Sequence, residues 1–267
     1  GVTTAPGATT TVIPTVTANV VDAGLYVQDD WRVRPNLTVS AGLRFETQNA
    51  IRDHRDFAPR VAMAWGIGGG GKTAAKTVLR AGVGLFYDRF GEEDVLQATR
   101  LDGETQLQYI VQAKTGEFIP GYPVIPNQDQ LQASSPTLYQ IDPRYRSPYI
   151  LQSAVTLERQ LTKIANLSVS YLNSHGYDQL FTRNINAPIP PATDPTDPAV
   201  RPQGTLENVY QYTTEGIFRQ NQLIISSNVR AGAKLTLFGY YTLNSVRSNT
   251  SGGFPSNQYN IDQDYGR

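Results

Sequence analysis

Residues 21–46 read VDAGLYVQDDWRVRPNLTVSAGLRFE, and their alternation decides the fold. The odd positions Val21, Ala23, Leu25, Val27, Asp29, Trp31 and Val33 are mostly apolar, whereas Asp22, Gly24, Tyr26, Gln28, Asp30 and Arg32 between them are mostly polar or small. After Arg34-Pro35 the pattern restarts, with Leu37, Val39, Ala41, Leu43 and Phe45 facing one way and Asn36, Thr38, Ser40, Gly42, Arg44 and Glu46 the other. Period-two alternation is the mark of a strand with unlike faces, so this stretch predicts two long strands joined by a tight turn. Their length exceeds the five or six residues usual in globular sheets. It matches the roughly 9–11 tilted residues that cross a bilayer.

The same design recurs along the chain. Val61, Met63, Trp65 and Ile67 alternate with Arg60, Ala62, Ala64 and Gly66, and Leu79, Ala81, Val83, Leu85 and Tyr87 with Arg80, Gly82, Gly84, Phe86 and Asp88. A third pair places Leu151, Val155, Leu157 and Leu161 beside Leu167, Val169 and Tyr171. A fourth places Leu223, Ile225 and Val229 beside Leu235, Leu237, Tyr241 and Leu243. About eight wall strands are expected. The connections between them alternate in length: Arg34-Pro35, 68–76, 162–166 and 230–234 are short, while 48–59, 89–148 and 184–216 are long. Outer-membrane barrels have this one-sided arrangement, with short periplasmic turns and long extracellular loops. The fold class expected is all-β, an antiparallel transmembrane β-barrel wall. Asp29 and Arg159 fall on its apolar face toward the short-turn end, where a charge costs roughly 0–1 kcal/mol instead of roughly 2–4 at the midplane.

Composition is compatible with this reading and excludes others. No stretch of 18 consecutive apolar residues exists, so no transmembrane helix is available. There is no cysteine for a disulfide framework or thiolate metal site. Lys plus Arg and Asp plus Glu are equal at 23, so no global basic field recruits nucleic acid. Fifteen Tyr suit aromatic girdles at membrane interfaces. The chain opens on Gly1 without a secretory signal and stops at Arg267 shortly after a strand-like run, so both ends read as cut. Residues 1–19 read as an extended lead-in or loop segment and 20–267 as a partial barrel.

The strings LYVQDDWRVRPNLTVSAGLRFE, FAPRVAMAWGIGG, KTVLRAGVGLFYDRF, SPYILQSAVTLERQL and LSVSYLNSHGYDQLFTRNIN resemble the barrel of TonB-dependent receptors. The likeness is strongest to the Oar-like group, which carries an N-terminal carboxypeptidase-regulatory-like domain. It implies a barrel of about 22 strands around a plug. It also implies energisation by TonB across the periplasm and passage of a bulky substrate such as a metal chelate or glycan. The partners it implies are outer-membrane lipid, a TonB complex acting through a plug that this chain lacks, and an unidentified substrate. The family supplies no catalytic residue to transfer.

Several motifs are read as bland. Gly66 to Thr73 match the phosphate-loop pattern G-x-x-x-x-G-K-[ST], but the period-two run resumes at Val78 and leaves no room for the helix that would face the phosphates, so a flexible turn is expected. His54, near Asp53 and Asp56, and His175, near Asp178, are read as loop-surface histidines, not metal ligands. Residues 89–101 suggest a short helix, with Glu92, Glu93 and Asp94 suited to its N-terminus. Thr105–Ala113 and Phe118–Ile125 suggest a hairpin, and the Pro-rich stretch 188–202 an extended mobile loop. With no G-x-S-x-G elbow, no enzyme is expected, and no cofactor or metal. The candidate functional set is lumen-facing: Asp30, Arg32, Arg44, Glu46, Arg80, Asp88 and Glu158. These charges either line a channel or grip a plug, or they pair with one another inside a filled barrel. Two other readings stay open: a small self-closing structural or adhesive barrel, and a soluble carbohydrate-binding module.

Overall fold

The computed structural model describes residues 15–69, 74–109, 136–192, 194, 197–250 and 254–266. Eight long strands form as the alternation predicts: β1 (Asp22–Arg34), β2 (Leu37–Gln48), β3 (Asp56–Ile67), β4 (Thr77–Tyr87), then β7 (Tyr149–Gln160), β8 (Ala165–Asn184), β9 (Asn208–Ala231) and β10 (Leu235–Ser248). Two shorter strands, β5 (Gln108–Tyr109) and β6 (Pro136–Ile141), lie in the long connection, with helix α1 (Glu92–Arg100) before them. All ten belong to one sheet, ordered β1-β2-β3-β4-β7-β8-β9-β6-β5, with β10 also on β9. By contacts the chain divides into two compact units, to both of which β8 and β9 contribute.

The larger unit holds residues 20–90, 143–182 and 213–267. Its hairpin turns are short, and that between β9 and β10 uses Gly232 at φ 78°, a conformation that side chains rarely adopt. Register explains how the faces stay separate. Leu25 pairs with Phe45, Val61 with Val83, Val83 with Ser153, Val155 with Tyr171 and Leu223 with Leu243, so odd-numbered residues meet odd-numbered residues except at the β1–β2 turn, where Arg34 pairs with Leu37. One slip by a single residue would mix the two faces.

That apolar face is not a core. Every residue of β1 is exposed, and Leu25, Trp31, Val83, Leu237 and Tyr241 are 75, 67, 49, 55 and 61% exposed. A contiguous apolar surface on this scale marks a face that meets a membrane or a partner. Among the described residues no helix is long and apolar enough to cross a membrane, so any crossing is by strands.

The smaller unit takes residues 1–19, 91–142 and 183–212, largely the long connections. The expected helix forms as α1, with Glu92, Glu93 and Asp94 in its first turn. Of the expected hairpin, Gln108 and Tyr109 pair with Thr137 and Pro136, while residues 110–113 and the Phe118–Ile125 arm lie outside the described residues. The sheet is also not antiparallel throughout, because Thr137–Ile141 of β6 run parallel to Asn208–Tyr212 of β9. A connection of dozens of residues separates them, which is what parallel pairing needs. So 208–216, expected as loop, is strand. Tyr139 stacks on Tyr210 at 5.3 Å, and the Tyr212 hydroxyl lies 3.1 Å from Gln97 Oε1 of α1.

Among the described residues of the Pro-rich stretch, Ile189 N donates to the Val200 carbonyl at 2.8 Å, and bonds from Asn186 hold the residues that follow it. Asn186, fully buried, donates from Nδ2 to the Thr205 and Glu207 carbonyls at 3.1 and 2.8 Å, and its Oδ1 accepts from Gln203 N at 2.9 Å. Arg201 Nη1 donates to the Asn186 carbonyl at 2.9 Å.

A pH effect follows in this unit. Burial raises the Asp94 carboxyl above its ordinary range, opposed by a hydrogen bond from Tyr212 and reinforced by Glu93. Because the folded carboxyl holds its proton more tightly than the unfolded one, the helix docks best below the unfolded pKa and weakens as pH rises through the carboxylate range. Amides of α1 are expected to exchange more slowly at about pH 4 than at about pH 7, after correction for intrinsic rates, and Asp94→Asn to abolish the difference. An unchanged ratio in that variant would sink the assignment.

Candidate functional site

The even-numbered face of the larger unit gathers most of the charges expected there. Arg32 pairs in register with Thr38, Thr38 with Ala64, Ala64 with Arg80, and Arg80 with Thr156, which sets both arginines on one row of one face. Arg80 Nε donates to Glu158 Oε1 at 3.0 Å. Both side chains are more than two-fifths exposed, so the pair contributes little, and Arg80→Gln is expected to change unfolding free energy by less than about 1 kcal/mol in a urea titration. Ser40 Oγ donates to Asp30. Glu46 is the centre of a denser group: it pairs with Arg44, and Arg89 reaches both Glu46, at 3.3 Å, and Asp22, at 3.8 Å. Asp88 is just past β4 and accepts from Arg89 N at 2.8 Å. Among the described residues its carboxylate forms no ion pair with that group.

Arg89 was not in the expected set, because it lies beyond the alternating run and only tertiary structure brings it back to Glu46. Arg60 was also missed, although its even number already placed it on this face. Its guanidinium lies 4.2 Å from the Phe86 ring centroid. Between Arg44, Arg60, Tyr26 and Phe86 the surface sinks into a hollow of about 460 Å³ floored by Gly42, Ala62, Gly82 and Gly84. A Cβ on Gly84 would stand 2.9 Å from Arg60 Cγ, so the glycine lets the arginine lie flat. This face offers paired charge, an aromatic-cation contact and open floor, which is a polar binding surface and no constellation for bond-making chemistry.

The phosphate-loop pattern finds no helix where one is needed, because β4 starts at Thr77; residues 70–73 lie outside the described residues. His54 Nδ1 lies 3.0 Å from Thr47 Oγ1. His175 is not on a loop. It sits within β8 opposite Leu151, on the odd-numbered face.

The odd-numbered face carries a further geometric signal. On β2 its apolar run ends at Phe45 and Thr47 follows; on β8 it ends at Tyr171 and Asn173 follows. Register carries Asn173 through Ser153, Val83 and Val61 to Ala41, six residues nearer the short-turn end than Thr47. Six residues, about 20 Å, over four strand spacings, about 19 Å, put the edge of the band at roughly 45° to the register rows. Toward the short turns, Asp29 and Arg159 on this face mark the opposite edge with the same slope, since Asp29 is level with Val61 and Arg159 with Ile67. A band that stays level in a membrane while strands tilt by 35–45° crosses the rows at about that angle.

Residues 3–55 and 47–267 match the family described as the outer membrane beta barrel domain, and the chain belongs to that family. It resides in the outer membrane of the Gram-negative type. In fold it resembles the outer membrane transporter YddB from Escherichia coli, with TM-score 0.58 and 16% identity over 86% of this chain and 25% of that one. It also resembles the FrpB iron transporter (F3-3 variant) from Neisseria meningitidis, with TM-score 0.53 and 12% identity over 86% and 26%. The siderophore receptor PirA from Pseudomonas aeruginosa gives TM-score 0.51 and 13% identity over 86% and 36%. The chain thus spans about a quarter to a third of the length of these structures. No curated protein matches it.

Proposed function

We propose that this chain is part of the wall of a TonB-dependent transporter of the Oar-like kind, passing a bulky substrate such as a metal chelate or glycan across the outer membrane. The observation that carries the reading is the parity of the sheet: one face is an exposed apolar band at bilayer slope, and the other holds Asp30, Arg32, Arg44, Glu46, Arg80 and Glu158 with an open hollow among them. The first face turns to lipid and the second to the lumen, where these charges, with Asp88, line the passage or hold a plug. Residues 20–267 form wall and loops, and 1–19 lead into them. Solved structures of similar fold are named as transporters and receptors, which supports transport over enzymatic activity.

The test uses the full-length protein. A plugged, energised transporter is expected to bind the periplasmic domain of TonB in a surface-binding assay and to conduct poorly in planar bilayers until urea displaces the plug. Free conductance without urea, together with no TonB binding, would instead favour a small self-closing barrel.

A further inference from the structure

Above the apolar band, the odd-numbered face of β8, β9 and β10 is layered. The last apolar level pairs Leu223 with Leu243, the next pairs Asn221 with Ser245, and the next sets Arg219 directly opposite Arg247. The second level is knitted to β8, where Asn173 Nδ2 and the Tyr171 hydroxyl donate to Asn221 Oδ1 at 2.9 and 2.7 Å. On the third, Arg219 Nε donates to His175 Nε2 at 2.9 Å. A guanidinium can only donate, so Nε2 accepts, and His175 is neutral with its proton on Nδ1, 3.0 Å from the Tyr177 hydroxyl.

Like charges directly opposite across an antiparallel pair destabilise it. Both arginines are exposed, and among the described residues no carboxylate stands within ion-pair distance of either. The other arginine clusters differ: Arg44 and Arg89 share Glu46, and Arg80 has Glu158. Arg219 and Arg247 therefore form an unneutralised pair, on the lipid-side face, at the long-loop border of the bilayer band.

We propose that Arg219 and Arg247, with His175 orienting Arg219, bind the phosphate of an anionic lipid headgroup in the outer leaflet. The acyl chains of that lipid would lie along Leu223, Leu243 and Ile225 below. Phosphate accepts from two forks at once and removes the repulsion that the pairing creates. Headgroup phosphates lie at the level directly above the hydrocarbon, which is where the layering puts the two arginines. The inference rests only on the odd-numbered face turning to lipid, so the TonB test above can fail without touching it.

The experiment places the full-length protein in nanodiscs of phosphatidylcholine, with and without phosphatidic acid, and counts retained lipids by native mass spectrometry. The wild type is expected to retain phosphatidic acid over phosphatidylcholine. R219Q/R247Q is expected to lose that preference about tenfold or more, R219K/R247K to keep part of it, and R230Q, on the opposite face near the short turns, to keep all of it. Heat-modified gel migration checks that each variant folds. A second readout is independent of binding counts: R247Q should hold or raise the melting temperature in phosphatidylcholine alone and lower it in phosphatidic acid. Equal retention of both lipids by the wild type would overturn the proposal. So would an unchanged preference in R219Q/R247Q, or displacement of the lipid by excess inorganic phosphate, which would mark a free-anion site.

Discussion

Asn186→Ala is expected to release residues 198–207 from the smaller unit while leaving the long strands folded. The side chain is completely buried and meets a carbonyl on Glu207, the carbonyl and hydroxyl of Thr205, and the amide of Gln203. Truncation removes four hydrogen bonds from half-buried positions, and each contributes about 0.5–1.5 kcal/mol. The sum, about 3 kcal/mol or more, exceeds what a loop segment with one short 3-10 turn at Pro198–Val200 can replace locally. Hydrogen exchange at Gln203 and Gly204 should speed up by two orders of magnitude or so, as about 3 kcal/mol implies. Asn186→Asp should do nearly as much damage, because a carboxylate cannot donate to the Glu207 carbonyl. Unchanged exchange at both amides would show that the segment is held by something else.

Val83→Arg is the second large effect. Val83 pairs with Val61 and Ser153 inside the apolar band, and it is half exposed to whatever surrounds the sheet. If that surrounding is the bilayer interior, an arginine there costs roughly 2–4 kcal/mol in a urea titration on lipid vesicles. Ser168→Arg, on the other face of the same sheet and opposite Glu158, should cost less than about 1 kcal/mol or help slightly. Equal costs at the two sites would mean that the faces do not differ in solvent, and the orientation of the wall would have to be abandoned.

The strands that cross the bilayer were legible in the sequence, and the reason is the solvent. Lipid on one side and polar groups on the other impose period two, so β1 and β4 begin and end within a residue or two of where alternation puts them. Beyond the lipid border that constraint lapses. β8 continues to Asn184 through Asn173, Ser174 and His175, and β9 starts at Asn208, well before the alternating run from Leu223; in both extensions each face is polar or mixed. The parallel pairing of β6 with β9 left no local trace, because it depends on where two distant segments meet. The same holds for the candidate site. Parity placed Arg32, Arg44, Glu46, Arg80 and Glu158 on one face, and would have placed Arg60 there too, but Arg89 reaches Glu46 only through the folded chain.

By itself, then, the sequence determined which residues face together and that the sheet is a membrane wall, since alternation is a local property that register merely propagates. Tertiary structure decided which charges pair, where the band slopes across the strands, and that Arg219 stands against Arg247. Those depend on how strands 28 residues apart in the chain are set level with one another, and hydrogen-bond register between strands is not written in either strand alone.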